Sequence, residues 1–315
     1  MKPINRRSFL QTSAALAAGT VLVPTSKTLL ARSPDEPLFK ISLAEWSINK
    51  PLFAGTIDHL DFPKIARANG IEAVEYVNQF FMDKAENEAY LKEMKTRADG
   101  EGVKSVLIMC DNEGALGDPD EGKRIQAVQN HYKWVDAAKY LGCHSIRVNA
   151  FVRGGWGSAP GDPAEEMKLV VDGLRRLTEY GASQAMNVIV ENHGGNSSNS
   201  AWLVKVMKTV DHPRCGTLPD FGNFRIYEEE VYDPYQGVAE MMPFAKGVSV
   251  KTEVYTPNGA PKPIDLKRMM KIVLDAGYHG YCGIEHGPEG KELEGIRQVR
   301  DELLQVREAL ASEEG

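Results

Sequence analysis

The chain has 315 residues, 42% of them hydrophobic and 26% charged, enough to bury one large core without requiring a second domain. Its 44 acidic residues outnumber 37 Lys and Arg, for a net charge of −7. That balance argues against a broad phosphate-binding surface, because nucleic-acid binders need clustered basic side chains.

The first thirty residues differ in character from the rest. Asn5-Arg6-Arg7-Ser8-Phe9-Leu10-Gln11 sets paired arginines ahead of an Ala-rich apolar run from Ala14 to Val23. The pattern resembles a twin-arginine export signal, and the run is too short to span a bilayer comfortably. Residues 1–31 are therefore expected to be signal and linker, and 32–315 one catalytic domain of an exported, periplasmic protein with no lasting membrane insertion. Such export carries folded proteins, often with a metal or cofactor loaded.

After the signal, β-rich segments alternate with helical ones. The strand-like stretches are Phe39 to Ile48, Ile71 to Phe80, Val103 to Asp111, His144 to Phe151, Asn187 to His193, Cys215 to Gly222, Gly247 to Tyr255 and Gly280 to His286. Between them, Glu86 to Ala98, Glu121 to Leu141, Pro163 to Ala185, Ser200 to Val210 and Leu266 to Ala276 read as helices, several with apolar residues three and four apart. Ala-Asn-Gly-Ile, Glu-Gly-Val, Leu-Gly-Cys and Ala-Gly-Tyr each combine a helix-ending glycine with re-entry into a strand. Eight such units predict an α/β fold of the (β/α)8 TIM-barrel type. An open doubly wound sheet is disfavoured, since no GxGxxG turn or P-loop is present. Cys110, Cys143, Cys215 and Cys282 fall in or beside strands without a CxxC pair, which suits small apolar fillers better than disulfides.

In a barrel the functional residues belong at the C-terminal strand ends. Glu191 ends Val-Ile-Val-Glu, Asp220 follows Thr-Leu-Pro, and Glu285 ends Tyr-Cys-Gly-Ile-Glu. From Glu191 to Asp220 is 29 positions, another 29 reach Ser249, and Glu285 follows 36 later, close to the about thirty residues of a βα unit. Clustered acids repel without a cation, so a divalent metal is the economical explanation. Hard oxygen donors favour Mn or Mg, with Zn or Co also able to occupy such a site.

Other polar residues share this rim. His193, two positions past Glu191, faces the same way on an extended strand and is a candidate for metal, hydroxyl or proton. Lys251 alternates in phase with Ser249 and should point inward, where a lysine needs acidic partners. Asn223 is placed to reach a sugar hydroxyl. Glu75, and Arg147 with Asn149 on one face, either line the pocket or link barrel layers. Trp156, in Arg-Gly-Gly-Trp-Gly, and Trp46 offer apolar walls for a sugar ring. His286 is expected to point away from the site, in packing or support of Glu285. His59, His131, His144, His212 and His279 read as surface or capping residues.

Val-Glu-Asn-His-Gly-Gly-Asn-Ser-Ser-Asn, Leu-Pro-Asp-Phe-Gly-Asn-Phe and Gly-Tyr-Cys-Gly-Ile-Glu-His, in that order, resemble the sugar phosphate isomerase/epimerase family with the xylose isomerase-like TIM barrel, and with the signal its exported branch. The likeness runs from about Leu38 to Arg307. It implies one divalent metal on Glu191, Asp220 and Glu285, with Glu191 and Glu285 also acting as acid/base, a small carbohydrate as substrate, and no nucleic-acid partner. Members often carry His-x-Lys-Asp in the seventh strand, where this chain reads Ser249-Val250-Lys251-Thr252. Water, His193 or Lys251 are the alternatives for the histidine's place. The implied chemistry is aldose–ketose isomerisation or epimerisation next to a carbonyl. A lyase or hydrolase of oxidised sugars, or a carbohydrate-binding barrel without turnover, are the alternatives.

Overall fold

The computed structural model describes residues 36–314, so the signal segment lies outside the described residues. Within them, β1 (Lys40–Ala44), β2 (Ala73–Val77), β3 (Lys104–Met109), β4 (Ser145–Val148), β5 (Asn187–Glu191), β6 (Cys215–Leu218), β7 (Val248–Val250) and β8 (Tyr281–Ile284) form one parallel sheet. Its order is β6-β5-β4-β3-β2-β1-β8-β7. The ring is completed between β6 and β7 by the bridge Asp220–Ser249. There the Ser249 amide donates to the Pro219 carbonyl (2.9 Å) and the Phe221 amide to the Ser249 carbonyl (3.1 Å). Each strand falls inside one of the eight stretches that the sequence marks.

The helices are α1 (Asn49–Phe53), α2 (Phe62–Ala68), α3 (Glu88–Gly100), α4 (Glu121–Leu141), α5 (Pro163–Ser183), α6 (Ser200–Val210), α7 (Pro234–Met241), α8 (Leu266–Asp275) and α9 (Glu292–Glu314). Periodicity alone does not mark α1, α2 or α7, which are only five to eight residues long. Asn87, Asp120, Asp162, Asn199, Asp233 and Asp265 cap α3 to α8 by accepting backbone amides of the first turn, a contact worth about 1 kcal/mol each. The four punctuating glycines, Gly70, Gly102, Gly142 and Gly277, all have positive φ, as the turn from helix back to strand requires.

Two apolar clusters divide the work. The larger lies between sheet and helices and includes Trp134, Leu174, Leu203, Met269 and Leu303. The smaller, with Val77, Leu107, Met109, Ile189 and Leu218, packs the barrel interior. This is why the centre is a floor and not a pore. All four cysteines are buried and free. Two histidines expected near the surface are instead interior. His59 Nδ1 lies 2.6 Å from the buried Glu45 carboxylate, and His131 Nδ1 lies 2.7 Å from the Ala127 carbonyl.

Candidate functional site

A cavity of about 960 Å³ opens at the C-terminal ends of the strands. The ends of β5, β6 and β8 bring Glu191, Asp220 and Glu285 together beneath it, each with an oxygen within 4.8 Å of the others. Asn192 ties the first two together. Its side chain donates to the Asp220 carbonyl (2.9 Å) and accepts the Asp220 amide (2.7 Å). The Asp220 carboxylate also accepts the amides of Gly222 and Asn223, both at 2.8 Å. One oxygen is thus committed to fixing its own loop.

Two cations enter the cluster from opposite chemistries. Lys251 Nζ stands 2.8 Å from Asp220 Oδ2 and 2.8 Å from Glu285 Oε1. Ser249 Oγ donates to Asp220 Oδ2 at 2.8 Å and lies 3.3 Å from Glu285 Oε2. Lys251 crosses close over Gly222, where any Cβ would fall 2.9 Å from Lys251 Cδ and 2.6 Å from the Glu253 carbonyl. Only glycine leaves that passage open. Arg147 serves the other side, with Nη1 2.8 Å from Asp111 Oδ1 and Nε 2.9 Å from Glu191 Oε2. The latter pair is not aligned as a hydrogen bond, so Glu191 Oε2 is buried without a donor, while Glu191 Oε1 accepts from Asn223 Nδ2 at 2.9 Å.

Four carboxylates, Asp111, Glu191, Asp220 and Glu285, against two cations leave an excess of two negative charges. Burial is the main force raising the Glu191 carboxyl, to about 7, with Glu285 adding to it against the pull of Arg147 and Lys251. Burial also works against the two cations, but the surrounding acids outweigh it and hold Lys251 and Arg147 above their ordinary values. Asp111 feels the same desolvation, yet Arg147 and His193 keep it well below the usual carboxylate range.

Arg147, Asn149, His193, Asn223, Lys251, Glu285 and Trp156 line the cavity. Glu191 and Asp220 lie behind that lining, 1% and 0% exposed. Asn149 Nδ2 donates to Asp111 Oδ1 (2.7 Å), which turns its Oδ1 toward His193 Nδ1 at 2.8 Å. The imidazole therefore carries its proton on Nδ1 and keeps Nε2 as an acceptor. Burial, helped by Arg147, lowers its pKa to about 4, so the ring is neutral at physiological pH. The half-exposed Trp156 leans on it, with ring centroids 4.7 Å apart.

Two expectations need correction. Glu75 does not reach the cavity. It is fully buried in the barrel, accepts from Ser42 Oγ at 2.6 Å, and occupies the niche left by Gly283, where a Cβ would meet its carboxylate at 2.5 Å. Desolvation raises it to about 8, so it links layers as a neutral acid. His286 does not turn away. The chain leaves the strand at Glu285, and the ring lines the cavity margin with Nδ1 3.3 Å from Thr252 Oγ1. Asp111 was not singled out from the sequence, although it stands at the end of the third strand-like stretch, the same signal that marks Glu191. Gln79, which donates to Asp111 Oδ2 at 3.1 Å, is not a strand-end residue but sits in the 3-10 turn Asn78–Phe80 that follows β2.

A sequence profile of the xylose isomerase-like TIM barrel family matches residues 63–308, and one of the twin-arginine translocation signal matches residues 3–23. No curated protein matches the sequence. Among solved structures, a xylose isomerase-like TIM barrel protein from Mycobacterium smegmatis in complex with magnesium superposes with TM-score 0.64 at 16% identity, covering 85% of this chain and 96% of that one. The 3-keto-D-glucoside 4-epimerase of E. coli gives 0.62 at 17%, covering 85% and 99%. D-psicose 3-epimerase from Clostridium cellulolyticum H10, with D-tagatose, gives 0.60 at 15%, covering 88% and 97%. At these identities the likeness concerns the fold. Among the described residues no helix is long and apolar enough to cross a membrane.

Proposed function

The chain belongs to the xylose isomerase-like TIM barrel family, and from that premise we propose that it is a divalent-metal-dependent sugar isomerase or epimerase, exchanging a proton beside a carbonyl through an enediolate. The observation that carries this reading is the convergence of three carboxylates from separate strand ends under one cavity, two negative charges in excess.

The donors fit a divalent ion. Glu191, Asp220 and Glu285 would hold it, as hard oxygens suited to Mn or Mg. The unpartnered Glu191 Oε2 and the excess charge are what such an ion satisfies. Bound there, it supplies Lewis-acid polarisation of a sugar carbonyl and its neighbouring hydroxyl. Lys251, which bridges Asp220 and Glu285 and lines the cavity, would be free to turn its ammonium to substrate oxygen where an ion took its place on one of them. Ser249, too short to replace a histidine ligand, keeps its hydroxyl on Asp220.

Glu285, at the cavity floor, and Glu191 form the proton-exchanging pair. One takes the C–H proton, whose electron pair forms the C=C bond of the enediolate as the carbonyl pair moves onto oxygen; the other returns a proton to the same carbon's opposite face, or to the adjoining carbon while the hydroxyl proton passes to the former carbonyl oxygen. Without an ion, burial holds the Glu191 carboxyl at about 7; an ion on it would favour the carboxylate, the form that takes a C–H proton. His193 Nε2 accepts a sugar hydroxyl, Asn223, Asn149 and Arg147 orient it, and Trp156 covers an apolar C–H face. The twin-arginine signal supports export, and the reading takes the periplasm as the place of action and a small carbohydrate, not a nucleic acid, as the partner.

The test is solvent-deuterium incorporation into a panel of ketoses and keto-glycosides by the Mn-loaded protein. Glu285→Gln should cut incorporation by about 10²–10⁴-fold, the usual contribution of a general acid or base. Undiminished exchange in that variant overturns the assignment, and tight sugar binding without exchange by wild type makes the barrel a binding protein. The same proton removal followed by loss of a leaving group gives a lyase of keto-glycosides, a reading that export favours because phosphorylated sugars are mainly cytoplasmic. Product analysis separates the two.

A further inference from the structure

The cavity is larger than one sugar ring needs. Its about 960 Å³ lies at the upper end of the roughly 300–1,000 Å³ that ligand pockets span. On its β1–β3 side it adjoins a shallower hollow of about 460 Å³ lined by Phe53, Gln79, Met82, Asn112, Glu113 and Lys133. Gln79, Asn112 and Glu113 belong to both. The two spaces therefore share a wall, and that wall is polar.

The floor between them is aromatic. Trp46 of the main cavity meets Phe53 edge-on at 6.0 Å, and Phe80 packs against both, at 6.3 and 5.0 Å. Phe53 is nevertheless 58% exposed. A lone exposed phenylalanine is ordinary. This one is fixed by two other rings at the edge of a concave surface whose remaining lining is amide, carboxylate and ammonium together with the Met82 thioether. Lys133 Nζ holds Glu113 at 2.9 Å, and Asn112 keeps φ at +62°, a conformation that costs energy and gathers at ligand contacts. An aromatic face framed by planar amides and charged groups matches a pyranose, whose axial C–H face is apolar and whose equatorial hydroxyls both donate and accept.

We propose that this hollow is a second sugar subsite, taking the non-reacting ring of a disaccharide whose other ring sits over Glu285. The proposal rests on the sugar-isomerase reading of the site and adds its substrate class. Gln79 is the hinge between the two rings, since it lines both spaces and donates to Asp111, the residue that anchors Arg147 and Asn149.

The experiment compares deuterium exchange by the Mn-loaded protein on matched pairs, a reducing disaccharide against its monosaccharide and a keto-disaccharide against its keto-monosaccharide. In at least one pair the disaccharide should have the higher kcat/KM. Phe53→Ala should reduce that preference about tenfold through KM, as loss of an aromatic contact does, and Phe53→Trp should retain it. Equal kcat/KM within both pairs, or a preference that Phe53→Ala leaves unchanged, overturns the subsite while leaving the isomerase reading standing. If no sugar exchanges, that reading fails, and calorimetric titration with the same pairs judges the subsite alone. Tenfold weaker disaccharide binding by Phe53→Ala supports it, and unchanged binding refutes it.

Discussion

The Arg147 side and the Lys251 side of the cavity floor solve one problem differently. Each sets a cation among buried acids. Arg147, with 5% of its side chain exposed, is forked between Asp111 and Glu191 and stacked into a network with Asn149. Lys251, 23% exposed, is a single point charge between Asp220 and Glu285. A planar guanidinium set between two acids cannot swing toward one without leaving the other, whereas an ammonium on a four-carbon stem can trade one oxygen for another. The difference teaches that the first is scaffold and the second is exchangeable.

The largest expected effect comes from removing the scaffold. Arg147→Met leaves Asp111 and Glu191 buried without their counter-charge and should cost about 3–5 kcal/mol, measured by chemical denaturation, and Mn should not close the gap to Mn-loaded wild type, because Asp111 is not among the carboxylates that would hold the ion. Lys251→Met should cost less, about 1–3 kcal/mol, because its site is partly solvated and the acids relax. Here Mn should restore the loss, since an ion at a hundredfold excess over its Kd contributes about 2.7 kcal/mol. If Mn rescues both variants equally or neither, the contrast between the two sides is wrong. For wild type, chelator should lower Tm and Mn should raise it.

A pH-dependent effect separates both sides from the layer below. Burial raises Glu75 to about 8 from an ordinary 4.5. An acid whose folded-state pKa is raised contributes stability that is full below about 4.5 and is lost as pH climbs through about 8. Wild type should therefore weaken between those limits, and Glu75→Gln should flatten that part of the stability profile. An unchanged slope in the variant would show that Glu75 is ionised in the folded protein.

The barrel was legible because its signals repeat. Alternating apolar runs and the glycines at 70, 102, 142 and 277 recur with the βα unit, so local chemistry and global closure agree. The convergence of Glu191, Asp220 and Glu285 followed from strand-end position alone, and the inward phase of Ser249 and Lys251 from strand alternation. What sequence could not supply were contacts set by packing across the barrel. Glu75 stands mid-strand in β2, a layer below the acids at the strand ends, in the space vacated by Gly283. His286 breaks alternation because the strand has already ended. Asp111 gains its role only when Arg147 arrives from the neighbouring strand, and Phe53 only where a five-residue helix leaves it beside Trp46 and Phe80.

The ring closes at the pair that also lies among the acids. Ser249 joins β7 to the end of β6 through its backbone while its hydroxyl holds Asp220. Whatever grips those carboxylates therefore acts as a clasp on the last-fastened edge of the cylinder, so that loading the pocket and tightening the whole wall are one event. For a chain bearing a signal for transport in the folded state, a filled pocket would serve as its certificate of completion.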